Sequence, residues 1–293
     1  MSRAKFLALA GATALLGTSA IAASSTATLA ADLPPLPRPV YPAPVIVETG
    51  GWYLRGDVGV AWKRFDKFEH HQTNPAFIWP ASWRIDQKDM ADAAFVGFGI
   101  GYAWSNWLRF DFTGEYRMKE WFKVIGSYTE FCTEGSRCFD IYEGHHSNWL
   151  FMANAYLDLG TWCGITPFVG VGIGSAYHQV TAFSDLGLVT AASPGFGYAA
   201  DSEYKKWQMA WALHAGLTYN VTGNFKVEFA YRYLNFGSVD TSIINCGAFG
   251  CNVGNGPRAY YTFTDFDSHD FKIGMRWMLQ QAVPVPPPLI RKG

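Results

Sequence analysis

Charge is scarce in this sequence. Only 16% of its 293 residues are charged, against about a quarter in ordinary soluble domains, so the usual densely charged shell around a water-soluble core is missing. The formal net charge is -1, with neither the basic excess that nucleic acid demands nor an acidic tail. Beyond the N-terminus no apolar run reaches the ~20 residues of a membrane-spanning helix. None of the five cysteines makes a pair at the two-residue spacing of structural zinc sites, so no metal site is expected. The Gly-x-Gly-x-Gly runs at 97–101 and 170–174 repeat with period two and have no helical pattern behind them. They are therefore not phosphate loops, and no cofactor is implied.

Aromatics, by contrast, are plentiful: 17% of residues, including 12 Trp, beside 30 Gly. Arg3 and Lys5 precede the apolar run Phe6 to Leu16 and a small-residue stretch ending Ala30-Ala31. This pattern predicts a cleaved signal peptide over 1–30 and hence export. Residues 31–50 are proline-rich and read as a spacer, and 280–293 form a second proline-rich tail. Export puts the cysteines in an oxidising compartment, so Cys132–Cys138 and Cys246–Cys251 are expected as local disulfides, with Cys163 left over.

Between the two proline-rich ends, residues 51–279 alternate. In Leu108 to Lys119 the odd side, Arg109, Asp111, Glu115 and Arg117, is ionic, and the even side, Leu108, Phe110, Phe112 and Tyr116, is apolar. Successive strand residues point to opposite faces, so such a segment has one greasy and one charged face. The pattern returns in eight segments, near 52–62, 94–104, 108–119, 148–159, 169–174, 207–220, 225–233 and 270–279. Three short turns alternate with four long connections at 63–90, 120–147, 178–205 and 235–267, which lack alternation and read as irregular loops. A soluble sandwich offers no reason for all long connections to lie at one end. An outer-membrane barrel does: an all-β, transmembrane, eight-stranded antiparallel up-and-down barrel with four long extracellular loops and three short periplasmic turns. That architecture predicts the outer membrane of a Gram-negative bacterium, with both termini periplasmic, and contact with lipid and lipopolysaccharide.

Eight strands enclose an interior that side chains can fill. The inward residues are expected to be Arg55, Asp57, Arg109, Asp111, Glu115, Arg117, Asp158, Glu228, Arg232, Asp270 and Arg276. Both signs are nearly balanced, as charges withdrawn from water require, so the expectation is a salt-bridged plug rather than a channel lined by one sign. The alternative use of the same residues is a narrow small-solute path.

Few residues hint at chemistry. His70, His71, His145 and His146 stand in the first two long connections, where they could contact haemin or a metal. The segment His145-His146-Ser147-Asn148 resembles the His-x-Ser-Asn stretch of outer-membrane lipid A deacylases. A serine nucleophile needs a base in reach and an acid behind it, and Asp158, the nearest downstream acid, sits at the far end of its strand. No catalytic residues are assigned, and the chain is expected not to be an enzyme.

Several stretches carry a family likeness. Met152-Ala153-Asn154-Ala155-Tyr156-Leu157-Asp158-Leu159-Gly160, Thr166 to Gly174, Leu108 to Arg117 and Tyr231 to Gly237 resemble alphaproteobacterial opacity-like, outer-membrane-protein-A-like eight-stranded barrels. The resemblance covers about 50 to 279. It implies a structural surface protein that supports envelope integrity and whose loops meet host or environment. Peptidoglycan contact through the proline-rich tails and haemin binding by the loops are further expectations.

Overall fold

The computed structural model describes residues 50–72, 80–130, 132, 135–188, 195–199, 203–246 and 259–279. The expected signal peptide, nearly all of the 31–50 spacer, the 280–293 tail and Cys251, with its expected pairing to Cys246, lie outside these residues.

Among the described residues twelve strands are formed: β1 (Gly51–Arg64), β2 (Lys67–Gln72), β3 (Arg84–Met90), β4 (Ala93–Ala103), β5 (Leu108–Tyr128), β6 (Cys138–Asp158), β7 (Ile165–Leu188), β8 (Gly195–Ala199), β9 (Glu203–Asn220), β10 (Phe225–Asp240), β11 (Ile244–Cys246) and β12 (Ala259–Met278). Eight of them close a ring. β1 pairs with β4, then β5, β6, β7, β9, β10 and β12 follow, and β12 returns to β1, with every pairing antiparallel. Closure leaves no open edge in the ring, which is what lipid demands of a spanning sheet.

The greasy face of every ring strand points outward. Leu54, Val58, Phe98, Phe112, Val171, Leu213, Phe229 and Ile273 are all exposed, while Arg55, Asp57, Asp111 and Glu228 between them are buried. Aromatic side chains bound this band at both ends. Trp52 packs edge-on against Tyr102 at one rim. Trp62 with Phe271, and Tyr116 with Trp149, mark the other. Trp52 and Trp62 are ten residues apart on one strand, roughly 33 Å at ~3.3 Å per residue. Tilted by ~40°, that matches the ~25 Å apolar height of a membrane barrel.

Three tight turns join strands at the first rim. Ser105 Oγ accepts the Leu108 amide at 3.1 Å, and Thr222 Oγ1 accepts that of Phe225 at 3.1 Å. The third turn uses Gly160 and Gly164 at φ 104° and 81°, a conformation open to glycine at no steric cost.

At the other rim the structure differs from the sequence reading. The four long connections occur where expected, but their described residues are largely β-sheet rather than irregular loop. β5 and β6 run on to 21 residues each and β7 to 24, about twice what the bilayer needs. β2 pairs with β12, β3 with β5, and β8 bridges β7 and β11. Together they form an extension beyond the membrane band. Its interior is hydrophobic: Phe65, Phe68, Phe122, Tyr142, Phe183, Phe236, Tyr261, Phe263 and Phe266 belong to one buried cluster. Where β2 and β3 part, Lys88 Nζ spans the gap and donates to the carbonyls of Phe65 and Asp66 at 2.6 and 3.1 Å.

Candidate functional site: an ionic interior under an aromatic cap

The charged face of each ring strand fills the barrel in layers. Nearest the short turns, Arg109 reaches Asp158 at 3.1 Å and Glu228 at 3.2 Å, and Arg276 reaches Glu228 at 3.3 Å. The Arg109 guanidinium also lies 4.1 Å from the Tyr156 ring centre and 4.6 Å from that of Phe168, so its face rests on aromatic π-density. In the next layer Arg55 grips Asp57 at 2.7 and 2.9 Å and Asp111 at 2.5 Å. Asn154 donates to Asp111 at 2.8 Å, and Lys272 stands 3.8 Å from Asp57. Above that, Arg232 binds Glu115 and Asp270, and Arg117 donates to Ser268 Oγ at 3.2 Å and to both oxygens of Asp270. Arg55, Asp57, Arg109, Asp111, Glu115, Arg117, Asp158, Glu228, Arg232, Asp270 and Arg276 thus each stand beside an opposite charge.

Room for these long side chains comes from glycine. At Gly99 an added Cβ would stand 2.7 Å from the Phe112 carbonyl oxygen and 3.0 Å from Arg55 Cγ. At Gly101 it would run into the Tyr53 ring. β4 contributes space where its neighbours contribute charge.

A fourth layer closes the polar stack. Lys63 Nζ donates to Glu120 Oε1 at 2.5 Å and Asn148 Oδ1 at 3.3 Å. The same carboxylate oxygen is 2.7 Å from His146 Nδ1, whose Nε2 lies 2.9 Å from His178 Nδ1. Sequence reasoning missed this layer because four of its members, Lys63, Glu120, His146 and His178, fall in stretches read as loop. Lys272 and His214 carried the same alternation signal and were overlooked as interior residues. Phe236 and Phe266 cover the two imidazoles edge-on, and the aromatic cluster of the extension begins there.

The histidine pairs do not converge. His70 meets the edge of Tyr261 while His71 stacks on Tyr260. His146 points into the barrel and His145, its neighbour on the strand, to the outside. Burial lowers the pKa of His70 to about 4. Among the described residues no three side chains form a metal-binding group. Ser147 is buried, and its hydroxyl lies 3.5 Å from Gln179 Oε1. Both ring nitrogens of His146 are engaged elsewhere, so His146 is not in place as a base for Ser147.

Farther out, two carboxyls enter the aromatic cap without a lysine or arginine partner among the described residues. Tyr142 donates to Asp140 at 3.3 Å, and the Tyr261 hydroxyl is 3.3 Å from both Asp185 Oδ2 and the Tyr142 hydroxyl. Burial pushes Asp140 up to about 6. Burial, then the charge of Asp140, holds Asp185 well above the carboxylate range. Nearby, the sulfurs of Cys132 and Cys138 are joined, with Cα atoms 5.8 Å apart; Cys163 is free and exposed.

A family model described as the outer membrane protein beta-barrel domain matches residues 12–278. The chain belongs to that family. Membership places it in the outer membrane, with the apolar band against lipid. Within the family it is similar to an uncharacterized protein of Brucella abortus (strain 2308), 29% identical over 88% of this chain and 94% of that one. It is also similar to RP828 of Rickettsia prowazekii, whose name carries the word adhesin, at 26% identity over 77% of this chain and 86% of the relative. Among solved structures, Neisserial surface protein A is matched at 14% identity with a TM-score of 0.43, over 79% of this chain and 100% of that one.

Proposed function

We propose that this family member is a non-enzymatic surface barrel that reinforces the outer membrane and holds a rigid β-extension out to the host or environment. The observation that carries this reading is the filled bore. Five arginines compensate the interior carboxylates layer by layer, and an aromatic cluster seals the far end. A protein spending so many buried ion pairs on closure uses its interior for rigidity and its outside for contact. In this reading the termini and short turns face the periplasm, where the proline-rich tails touch peptidoglycan, and the extension meets lipopolysaccharide and external ligands. The adhesin name of the Rickettsia relative supports the outward role.

The test has two arms. Purified protein in a planar bilayer is expected to stay electrically silent; steady, discrete steps would replace this reading with a small-solute porin. A gene-deletion strain is expected to lose detergent resistance or adherence to host cells. Wild-type behaviour in both assays would overturn the envelope role.

A further inference from the structure

The outer wall of the extension carries an apolar stripe where water, not lipid, surrounds it. On β5, β6 and β7 the inward residues are Val124, Tyr142 and Phe183, all in the buried cluster. Their strand neighbours therefore face outward. Cross-strand register places Ile125 beside Ile141 and Ile141 beside Leu186, and in the next row Phe139 beside Leu188. Phe139 and Leu188 are 39% and 42% exposed. Ile141 stands eight residues beyond the rim residue Trp149 on the same strand, roughly 20 Å above the apolar band at ~3.3 Å per residue and ~40° tilt. A contiguous apolar patch at that height is an interaction surface rather than a lipid contact.

Directly beneath the stripe lies a row of opposite charges. Lys123 on β5 pairs in register with Glu143 on β6, Nζ to Oε1 2.8 Å, and both remain partly exposed. The two charges sit side by side across the β5–β6 pair, close enough in height to face each other's counterpart. A membrane holds neighbouring barrels parallel and allows a two-fold axis only along its normal. Rotation about such an axis in front of β5–β6 brings Lys123 of one copy opposite Glu143 of the other, twice. The same rotation sets Ile125 of one copy against Ile141 of the other, also twice, as an isologous interface requires. We propose that the β5–β6 wall of the extension is a dimer interface, and that its occupant is a second copy of this chain. The inference deepens the surface reading above by assigning the outward wall to self-association.

The experiment uses the full-length protein in outer-membrane vesicles with a membrane-permeant bis-maleimide, in a Cys163→Ser background whose own crosslinking sets the zero. Ile141→Cys is expected to give a dimer band. Glu69→Cys, exposed on β2 at the opposite wall, is expected to give none. In the Ile141→Cys chain, Lys123→Glu or Glu143→Lys alone should remove the band, because like charges then face each other. The double exchange should restore it. Heat-dependent gel mobility checks that each variant is folded, and all the changed side chains point outward. Equal bands at positions 69 and 141, no band at 141, or no rescue by the double exchange would each overturn the dimer. Labelling of Ile141→Cys on intact cells by an impermeant maleimide reports separately on which side the extension faces. Failure there sinks the outward reading and leaves the crosslinking result standing.

Discussion

Arg232 holds Glu115 with both terminal nitrogens, at 2.7 and 2.6 Å, while its Nε donates to Asp270 at 2.8 Å. One guanidinium on β10 thereby ties β5 to β12 across the bore. Buried pairs of this kind are weak net stabilisers compared with apolar packing, but removing one partner strands a charge in low dielectric. Arg232→Ala leaves Glu115 with Arg117 as its nearest cation, at 3.9 Å. The expected loss is about 3–5 kcal/mol, read as a shift of the urea midpoint for heat-dependent gel mobility in lipid vesicles. Arg232→Met combined with Glu115→Gln should lose less than the single alanine. A loss below about 1 kcal/mol, the scale of an exposed pair, would mean that water reaches this layer.

The membrane half of this fold was legible in the sequence because lipid and a charged bore impose opposite chemistry on alternate residues. Arg109, Asp111 and Arg117 stand out from Leu108, Phe110 and Tyr116 for that reason alone. The extension was not legible. There the inside is apolar, with Phe122, Val124 and Tyr142, and the outside mixes Lys123, Ile125, Ile141 and Glu143, so the period-two contrast collapses. Register shifts between Arg117 and Glu120 on β5, and between Glu143 and His145 on β6, move the phase as well. The ionic layers were therefore readable up to Arg117 and Asp270, and the Glu120–His146–His178 layer just beyond them was not.

That layer bears on the serine beside it. His146 is occupied by Glu120 and His178, and Ser147 lies near Gln179. Nucleophilic serine chemistry needs a base within hydrogen-bond reach, and this geometry withholds one. Ser147→Ala is expected to leave the acyl pattern of lipid A unchanged when mass spectra of wild-type and variant cells are compared. A change in acyl-chain number would establish hydrolase chemistry in spite of the geometry.

The Cys132–Cys138 disulfide closes a loop with a sequence separation of 6. So short a loop constrains the unfolded chain modestly, by about 2 kcal/mol in the chain-entropy account. The crosslink lies at the tip of the β5–β6 hairpin, far from the ring. Reduction is expected to speed proteolytic nicking between 129 and 137 and to leave the gel-mobility shift of the barrel intact. Loss of that shift on reduction would show that the tip and the ring fold as one unit.

Asp140 and Asp185 should make the extension pH-sensitive in the direction opposite to most carboxylates. Neither has a lysine or arginine partner among the described residues; the titratable groups around them are Tyr128, Tyr142, Tyr261 and His70. Both folded-state pKa values are raised, so ionising either group is harder in the folded extension than in the unfolded one. Below about pH 4 both are protonated in either state and no penalty arises. As pH rises the unfolded chain ionises first, and stability falls until the folded groups ionise too, near 6 for Asp140, with Asp185 likewise held well above the carboxylate range. His70, held at about 4 by burial, works in the opposite sense between pH 5 and 6.5, so the test uses a His70→Gln background. There, hydrogen exchange of the β6–β7 amides beyond Glu143 is expected to show greater local stability at pH 5 than at pH 8, after correction for intrinsic exchange. Asp185→Asn should reduce the difference and stabilise the extension at pH 8. If the His70→Gln extension is instead more stable at pH 8, a cation compensates these carboxylates and the aromatic cap is not the dry environment described.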